Sequence, residues 1–299
     1  MSPCHGYLTD VSGVRLGHYT DSHGQTGLSV LLFPGGATAS VDVRGAAPGT
    51  RETDLLRPEN TVTEIHGLLL TGGSAFGLDA AAGLMRFLRE RGEGVQVGNL
   101  RVPIVPAAVI FDLFAGSEAV PGAEHAYGAA KSATKGPFST GRVGAGTGAT
   151  VGKILGMDHA APGGVGTQSI LLPGGARVGA FAVVNAWGDV ISAEGRVLAG
   201  VRASRSTASM VLEGNPMSFA GGNTTLGVIV TDAALDKSGC LRVAQMAHDG
   251  LARSLNPCHT PVDGDVVFTV STGTKGASVL SLGVAAASAL ADAIRFSVS

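Results

Sequence analysis

The chain is poor in the residues that staple, coordinate or grip. Only three of its 299 residues are cysteine, Cys4, Cys240 and Cys258. Their number is odd and they lack metal-ligand spacing, which argues against a disulfide framework and for an intracellular, cytoplasmic protein. Eight histidines include no H-E-x-x-H and no closely paired ligands, so no catalytic metal is expected, and His248 and His259 read as structural. Charged residues make up only 15%, the net charge is −2 and there is no basic tract, so nothing supports nucleic-acid binding. The N-terminus MSPCHGYLTD lacks a basic stretch followed by an apolar one, and no signal peptide is expected. One long apolar run, SVLSLGVAAASALADAIRF, ends the chain. Its Ala/Ser content and Asp292 suit close packing inside a protein better than a membrane span.

Apolar residues, by contrast, reach 44%, enough for a sizeable core and against disorder. Glycine is abundant, 46 residues without a G-x-y period, which fits tight turns and close packing of small-residue elements. Nearly continuous apolar runs at 28–33, 67–71, 102–105, 178–184, 226–231 and 265–270 predict strands buried on both faces. Helical spacing marks 76–91, 123–134, 234–254 and 277–296. In the first, Leu78, Ala81, Ala82, Met85 and Leu88 fall on one face and Gly92 supplies the stop. Gly239 interrupts the third and places its start late. Groups of strands followed by groups of helices argue α+β with helices layered on sheets. The stretch 202–223, polar and Gly/Ser-bearing with a central Asn-Pro, is the most linker-like.

Two glycine-rich motifs fail on inspection. GRVGAGTGATVGK has Thr147 where the phosphate-binding loop pattern needs glycine, and Ile154 where it needs Ser or Thr. Its G-x-G-x-x-A match lacks the acidic residue of a dinucleotide site, so a Gly-rich turn that allows close approach fits better. GGSAFG has Phe76 where a nucleophile elbow needs glycine. Ser74 is expected as a helix N-cap or part of a pocket rim.

The stretch GGNTTLGVIVTD (221–232) joins a polar loop to a core-type strand at Asn223-Thr224. Residue types alone make this a turn leading into a strand. If the Asn223–Thr224 bond breaks, however, Thr224 gains a free α-amine beside its own hydroxyl. With a reference pKa of about 7.7–8, that amine can act as general base for Oγ, so nucleophile and base share one residue. Cleavage can be autocatalytic: the Thr224 hydroxyl attacks the Asn223 carbonyl, gives an ester by N-to-O shift, and water finishes the reaction.

Segments in order along nearly the whole chain resemble the P1 family of peptidases, the L-aminopeptidase/D-alanine esterase-amidase group that also holds β-aminopeptidases and nylon oligomer hydrolases. They are LTDVSGVRLGHYTD, RGAAPGTRETDLL, HGLLLTGGSAFGLDAAAGLMRFL, VPIVPAAVIFDL, GAGTGATVGK, VGAFAVVNAWGDV, NTTLGVIVTDA and AHDGLARSLNPCHTPVDGDVVF. The resemblance implies an N-terminal-nucleophile hydrolase with a four-layer αββα sandwich, a single domain over 1–299. It also implies self-cleavage into 1–223 (α) and 224–299 (β), with Thr224 as nucleophile, no cofactor, and assembly as a tetramer of αβ units. Asn185 matches the family asparagine that helps hold the oxyanion. Asp263 and Asp265 would orient the Thr224 amine and share a proton, lying on one face if the stretch is extended. Without the family, DGD reads as a hairpin turn.

Lys153 would supply a positive charge that favours the unprotonated amine; Tyr127 is a weaker carry-over as a pocket residue. Asn-Thr at the junction and the acidic pair are similar to the nylon oligomer hydrolases. Expected substrates are therefore ω-amino acid oligomers such as 6-aminohexanoate oligomers, or short peptides with a free amine. Aminopeptidase activity of the same family is the alternative. An uncleaved small-molecule binding protein, or a nucleotide-binding protein sharing GAGTGATVGK by coincidence, stands behind both.

Overall fold

A computed structural model describes residues 6–215 and 222–299. Cys4 and the part of the polar loop at 216–221, Gly221 included, lie outside the described residues. Nine strands form the main sheet: β1 (Arg15–Asp21), β2 (Thr26–Val43), β3 (Thr50–Arg51), β4 (Glu64–Thr71), β5 (Ala107–Val109), β6 (Gly164–Leu171), β7 (Arg177–Asn185), β8 (Thr224–Ala233) and β9 (Val266–Lys275). Their order is β6-β7-β8-β9-β2-β4-β5-β3, with β1 paired to β2. β2 is 18 residues long, and its register with β4 shifts between Leu32 and Ala37. Residues 26–32 pair with β1 while 38–43 pair with β9, so one strand serves both halves of the sheet.

Period-2 alternation sorts the strands' side chains into three apolar layers. Leu31 and Phe33 of β2, Leu68 and Leu70 of β4, Phe181 and Val183 of β7, Val228 and Val230 of β8, and Phe268 and Val270 of β9 meet in a central core between the two halves. Val178, Ala180, Ala182, Ile229 and Val267 point the other way, under helices α4 (Lys237–Ala252) and α5 (Val279–Phe296). Leu28, Val30 and Leu69 pack under α1 (Ala81–Glu90) and α2 (Ala123–Lys131). Helix, sheet, sheet, helix is the αββα order expected from the sequence. A short α3 (Thr207–Leu212) lies within the linker-like stretch.

Three local expectations are corrected. Residues 103–106 form no strand; Val102 ends a small hairpin and pairing resumes at Ala107, because Pro103 and Pro106 carry no N–H for a ladder. The first helix opens as a 3₁₀ turn over Ser74–Ala80, and this tighter winding shifts its phase. Its buried face is Ala81, Leu84, Phe87 and Leu88, while Ala82 is exposed and Met85 half-buried. α4 begins at Lys237, with the Asp236 side chain accepting from Gly239 N, so the glycine serves the N-terminal turn rather than interrupting the helix. Gly92 does terminate α1, in a left-handed conformation (φ 68°). α5 is long and apolar enough to cross a bilayer, yet Leu282, Ala286, Leu290 and Ile294 are buried in the core it shares with β7 and α4, while Leu280 and Val284 are exposed.

Candidate active site

β8 lies between antiparallel β7 and parallel β9, and its first residue is Thr224, in register with Asn185 at the end of β7. The junction residue Asn223 makes a parallel bridge to Asp263, on the segment that enters β9. One strand end and two strand entries therefore converge on the Asn223–Thr224 peptide. Both residues are buried.

The Asn223 carbonyl is the focus of the geometry. Thr224 Oγ donates to its oxygen at 2.5 Å, and the Gly264 N–H donates to the same oxygen at 2.8 Å. Gly264 sits between the two aspartates. A Cβ there would lie 2.5 Å from the Ala47 carbonyl oxygen and 2.8 Å from Thr224 Oγ, so only glycine lets the chain come this close to the hydroxyl.

Asn185 is wholly buried and uses its whole amide. Oδ1 accepts from Thr150 N at 3.0 Å and from Lys153 Nζ at 2.9 Å; Nδ2 donates to Gly222 O at 3.0 Å and to Phe111 O at 3.2 Å. With the junction intact, the Asn185 NH2 therefore holds the carbonyl one residue before Asn223. Lys153 also donates to the Asn185 main-chain oxygen at 2.9 Å. Its own segment is stitched to the turn after β7 by Gly152 N–Trp187's neighbour Gly188 O and Lys153 N–Trp187 O bonds, which fixes Lys153 against Asn185. Burial holds the Lys153 ammonium pKa down to about 7, against the opposing pull of Asp263.

Asp263 and Asp265 are both buried on extended backbone leading into β9. Asp263 accepts from Trp187 N (3.2 Å) and from the N–H and Oγ of Thr260 (3.1 and 2.5 Å). Burial raises its pKa, and the neighbouring Asp265 adds to the shift. Asp265 accepts from Thr225 N at 2.7 Å through Oδ1, and through Oδ2 from His259 N at 3.1 Å, with His259 Nδ1 at 2.7 Å. These bonds place Asp265 on the amide next to the candidate nucleophile and Asp263 on the loop beneath it.

A cavity of about 220 Å³ opens onto the junction, lined by Ala47, Pro48, Ser74, Val109 and Phe111 together with Gly222, Asn223 and Thr224. Ser74 is in this wall with a left-handed backbone (φ 54°). It is not an N-cap: that position is Gly73, whose N–H is held by Asp112 Oδ1 at 2.7 Å. Tyr127 is not brought to the site. It lies on α2, its hydroxyl donating to Glu90 at 2.7 Å and its ring against Phe87 and Arg86. The GAGTGATVGK segment is a buried, closely packed turn that delivers Lys153, as the close-approach reading expected. Among the described residues no cluster of His, Cys, Asp and Glu could hold a metal ion.

Residue-type reasoning passed over Gly264 and read His259 as structural. The signal for the first was a glycine flanked by two carboxylates two residues apart; the second stood six residues before Asp265 with nothing to distinguish it.

A model of peptidase family S58 matches residues 6–298. An uncharacterized aminopeptidase of Mycobacterium tuberculosis is 44% identical over 287 residues, covering 89% of this chain and 81% of the relative. A 6-aminohexanoate-oligomer endohydrolase of Paenarthrobacter ureafaciens is 32% identical over 273 residues, covering 88% and 74%. Among solved structures, a β-aminopeptidase of a Burkholderia species superposes with a TM-score of 0.71 at 26% identity, over 97% of this chain and 85% of that one. The L-aminopeptidase D-Ala-esterase/amidase of Ochrobactrum anthropi, described as a variant of the Ntn hydrolase fold, gives 0.73 at 17% identity over 99% and 87%, a likeness of fold alone.

Proposed function

The chain belongs to peptidase family S58 and is an amide or peptide hydrolase of Ntn fold; from that premise we propose that it cuts itself between Asn223 and Thr224 and then hydrolyses amides with Thr224. The observation that carries this reading is the pair of donors on one carbonyl, Thr224 Oγ at 2.5 Å and Gly264 N–H at 2.8 Å.

In the self-cleavage step Thr224 Oγ adds to the Asn223 carbonyl carbon, and the developing oxygen charge is taken up by the Gly264 N–H. The C–N bond breaks with the Oγ proton passing to the leaving nitrogen, which leaves an ester and a free amine. Water hydrolyses the ester to the Asn223 carboxylate and the Thr224 hydroxyl. Removal of the upstream chain frees the Asn185 NH2 from Gly222 O for the oxyanion of a substrate amide. The Thr224 amine then acts as general base, an acyl-enzyme forms on Oγ, and water releases the acid. Lys153, its pKa brought to about 7 by burial, sets the charge beside Asn185. Fragments 1–223 and 224–299 follow, and the tetramer of αβ units belongs to the same proposal, tested by light scattering on the purified protein.

For substrate we infer ω-amino acid oligomers of the 6-aminohexanoate type. The apolar lining of Ala47, Pro48, Val109 and Phe111 suits a methylene chain, and one relative carries that activity in its name. The aminopeptidase reading has its own support, since the relative at 44% identity is named an aminopeptidase. A panel of 6-aminohexanoate oligomers, β-peptides and α-amino acid anilides separates them: hydrolysis of anilides alone overturns the oligomer reading. A Thr224→Ala variant that is still cleaved and still active overturns the nucleophile assignment.

A further inference from the structure

Once the Asn223–Thr224 bond is cut, no chain holds Thr224 from its N-terminal side. What then orients its amine and hydroxyl is the peptide that follows, and the Thr225 N–H of that peptide is bonded to Asp265 Oδ1 at 2.7 Å. Among the described residues the other oxygen of Asp265 is held by His259, through both its main-chain N–H (3.1 Å) and its ring Nδ1 (2.7 Å). To present both groups to one oxygen, His259 adopts a left-handed backbone with φ 52°. For a residue with a Cβ this conformation is strained and persists only where surroundings impose it.

The ring is also backed on its far side. His248 of α4 meets it edge-on, centroids 4.9 Å apart, and is itself placed by the Asp42 carbonyl on its Nε2 at 3.1 Å. Burial keeps the His248 pKa down at about 4, so it stands neutral against its neighbour. Asp42 is also paired with Arg44, and its carboxylate lies 3.6 Å from His248 Nε2. Among the described residues, His259 Nε2 and His248 Nδ1, both buried, have no hydrogen-bond partner. His259 thus meets one carboxylate oxygen with both its main-chain N–H and its ring, from a left-handed backbone.

We propose that His259 is a positioning residue for the nucleophile: it clamps Asp265 Oδ2, which fixes Oδ1 on the Thr225 N–H and thereby sets the direction of the freed Thr224 amine and hydroxyl. This rests on the Thr224 reading above and adds to it a residue that touches neither substrate nor nucleophile. The arrangement acts through Asp265, so its effect falls on turnover rather than on substrate affinity.

Two replacements separate the ring from the backbone. His259→Gly keeps the N–H and suits the positive φ but removes the ring; His259→Asn tolerates the same φ and returns a side-chain donor. In His259→Gly, kcat falls about ten- to a hundredfold while KM stays within about threefold, since small misplacements of a reacting group cost rate. His259→Asn recovers most of the lost kcat. Combined with Asp265→Asn, His259→Gly costs nothing further, because both act through one bond chain. Unchanged kcat in His259→Gly, a loss that Asn does not restore, or losses that add to those of Asp265→Asn each overturn the proposal. Unaltered protein that is itself uncleaved and inactive overturns the Thr224 reading, and this one with it; cleaved, active protein with an indifferent His259 overturns this one alone.

Discussion

Replacing Gly264 with alanine puts a methyl group into space that the structure has already filled. The new Cβ would lie 2.5 Å from the Ala47 oxygen and 2.8 Å from Thr224 Oγ, so one of them must retreat. Ala47 is poorly placed to do so: Ala47 N donates to Asp263 O at 3.0 Å, and Arg44 N and Gly45 N both donate to Asp265 O at 3.0 and 3.1 Å. That ladder ties the 44–47 segment to the same three residues that carry the methyl. The Thr224 hydroxyl is the freer partner and moves, and with it goes the alignment of Oγ and the Gly264 N–H on the Asn223 carbonyl. Overpacking of this kind costs about 1–3 kcal/mol of stability, and loss of one oxyanion donor costs roughly 3–4 kcal/mol of barrier, about a hundred- to a thousandfold in rate. Gly264→Ala is therefore expected to fold with a midpoint lower by several degrees and to process itself at least about a hundredfold more slowly. A time course on denaturing gels, beginning at synthesis, reads the rate; differential scanning fluorimetry reads the midpoint. Processing at the unaltered rate refutes the role given to the Gly264 N–H, whatever happens to stability.

Thr225→Val tests which hydroxyl acts. The Thr225 Oγ is buried with no hydrogen-bond partner among the described residues, so an isosteric methyl should stabilise by about 1 kcal/mol and leave self-cleavage intact, whereas loss of cleavage would move the nucleophile to Thr225. Asn185→Leu strips bonds from Thr150 N, Lys153 Nζ, Gly222 O and Phe111 O. In already cleaved protein it should lower kcat about a hundredfold or more with little change in KM; an unchanged kcat contradicts its oxyanion role. The buried Lys153 gives a pH signature of definite sign. Its folded pKa of about 7 lies below the ordinary value of 10.5, so between those limits the unfolded chain binds more protons and stability rises with pH. Lys153→Met should flatten that rise, a difference of up to several kcal/mol between pH 7 and 10 in urea unfolding; parallel profiles for the two proteins contradict the burial of a charge-shifting amine.

Much of the fold was legible because apolar periodicity and layer membership are the same physical fact. In β7, Val178, Ala180 and Ala182 go to the helix side and Phe181 and Val183 to the central core, which a nearly continuous apolar run between two buried faces already implies. The errors came where backbone chemistry overrode side-chain pattern. Two prolines emptied 103–106 of ladder donors, and a 3₁₀ turn rotated the face of α1. At the site, the resemblance named Thr224, Asn185, Lys153, Asp263 and Asp265, and these residues converge. Tyr127 does not join them; it bridges α1 and α2 instead. Gly264 escaped because its contact is a main-chain N–H, and His259 was read as structural because the left-handed backbone that turns it onto Asp265 leaves no mark in residue type.

The central claim is that the strand starting at Thr224 begins a new chain. Its most direct test is the intact mass and N-terminal sequence of the purified protein after denaturation, beside Thr224→Ala. The account predicts two polypeptides from the unaltered protein, the smaller beginning Thr224-Thr225-Leu226, and a single uncut chain from Thr224→Ala. A single full-length chain of 29.8 kDa from unaltered protein that hydrolyses amides normally would contradict it.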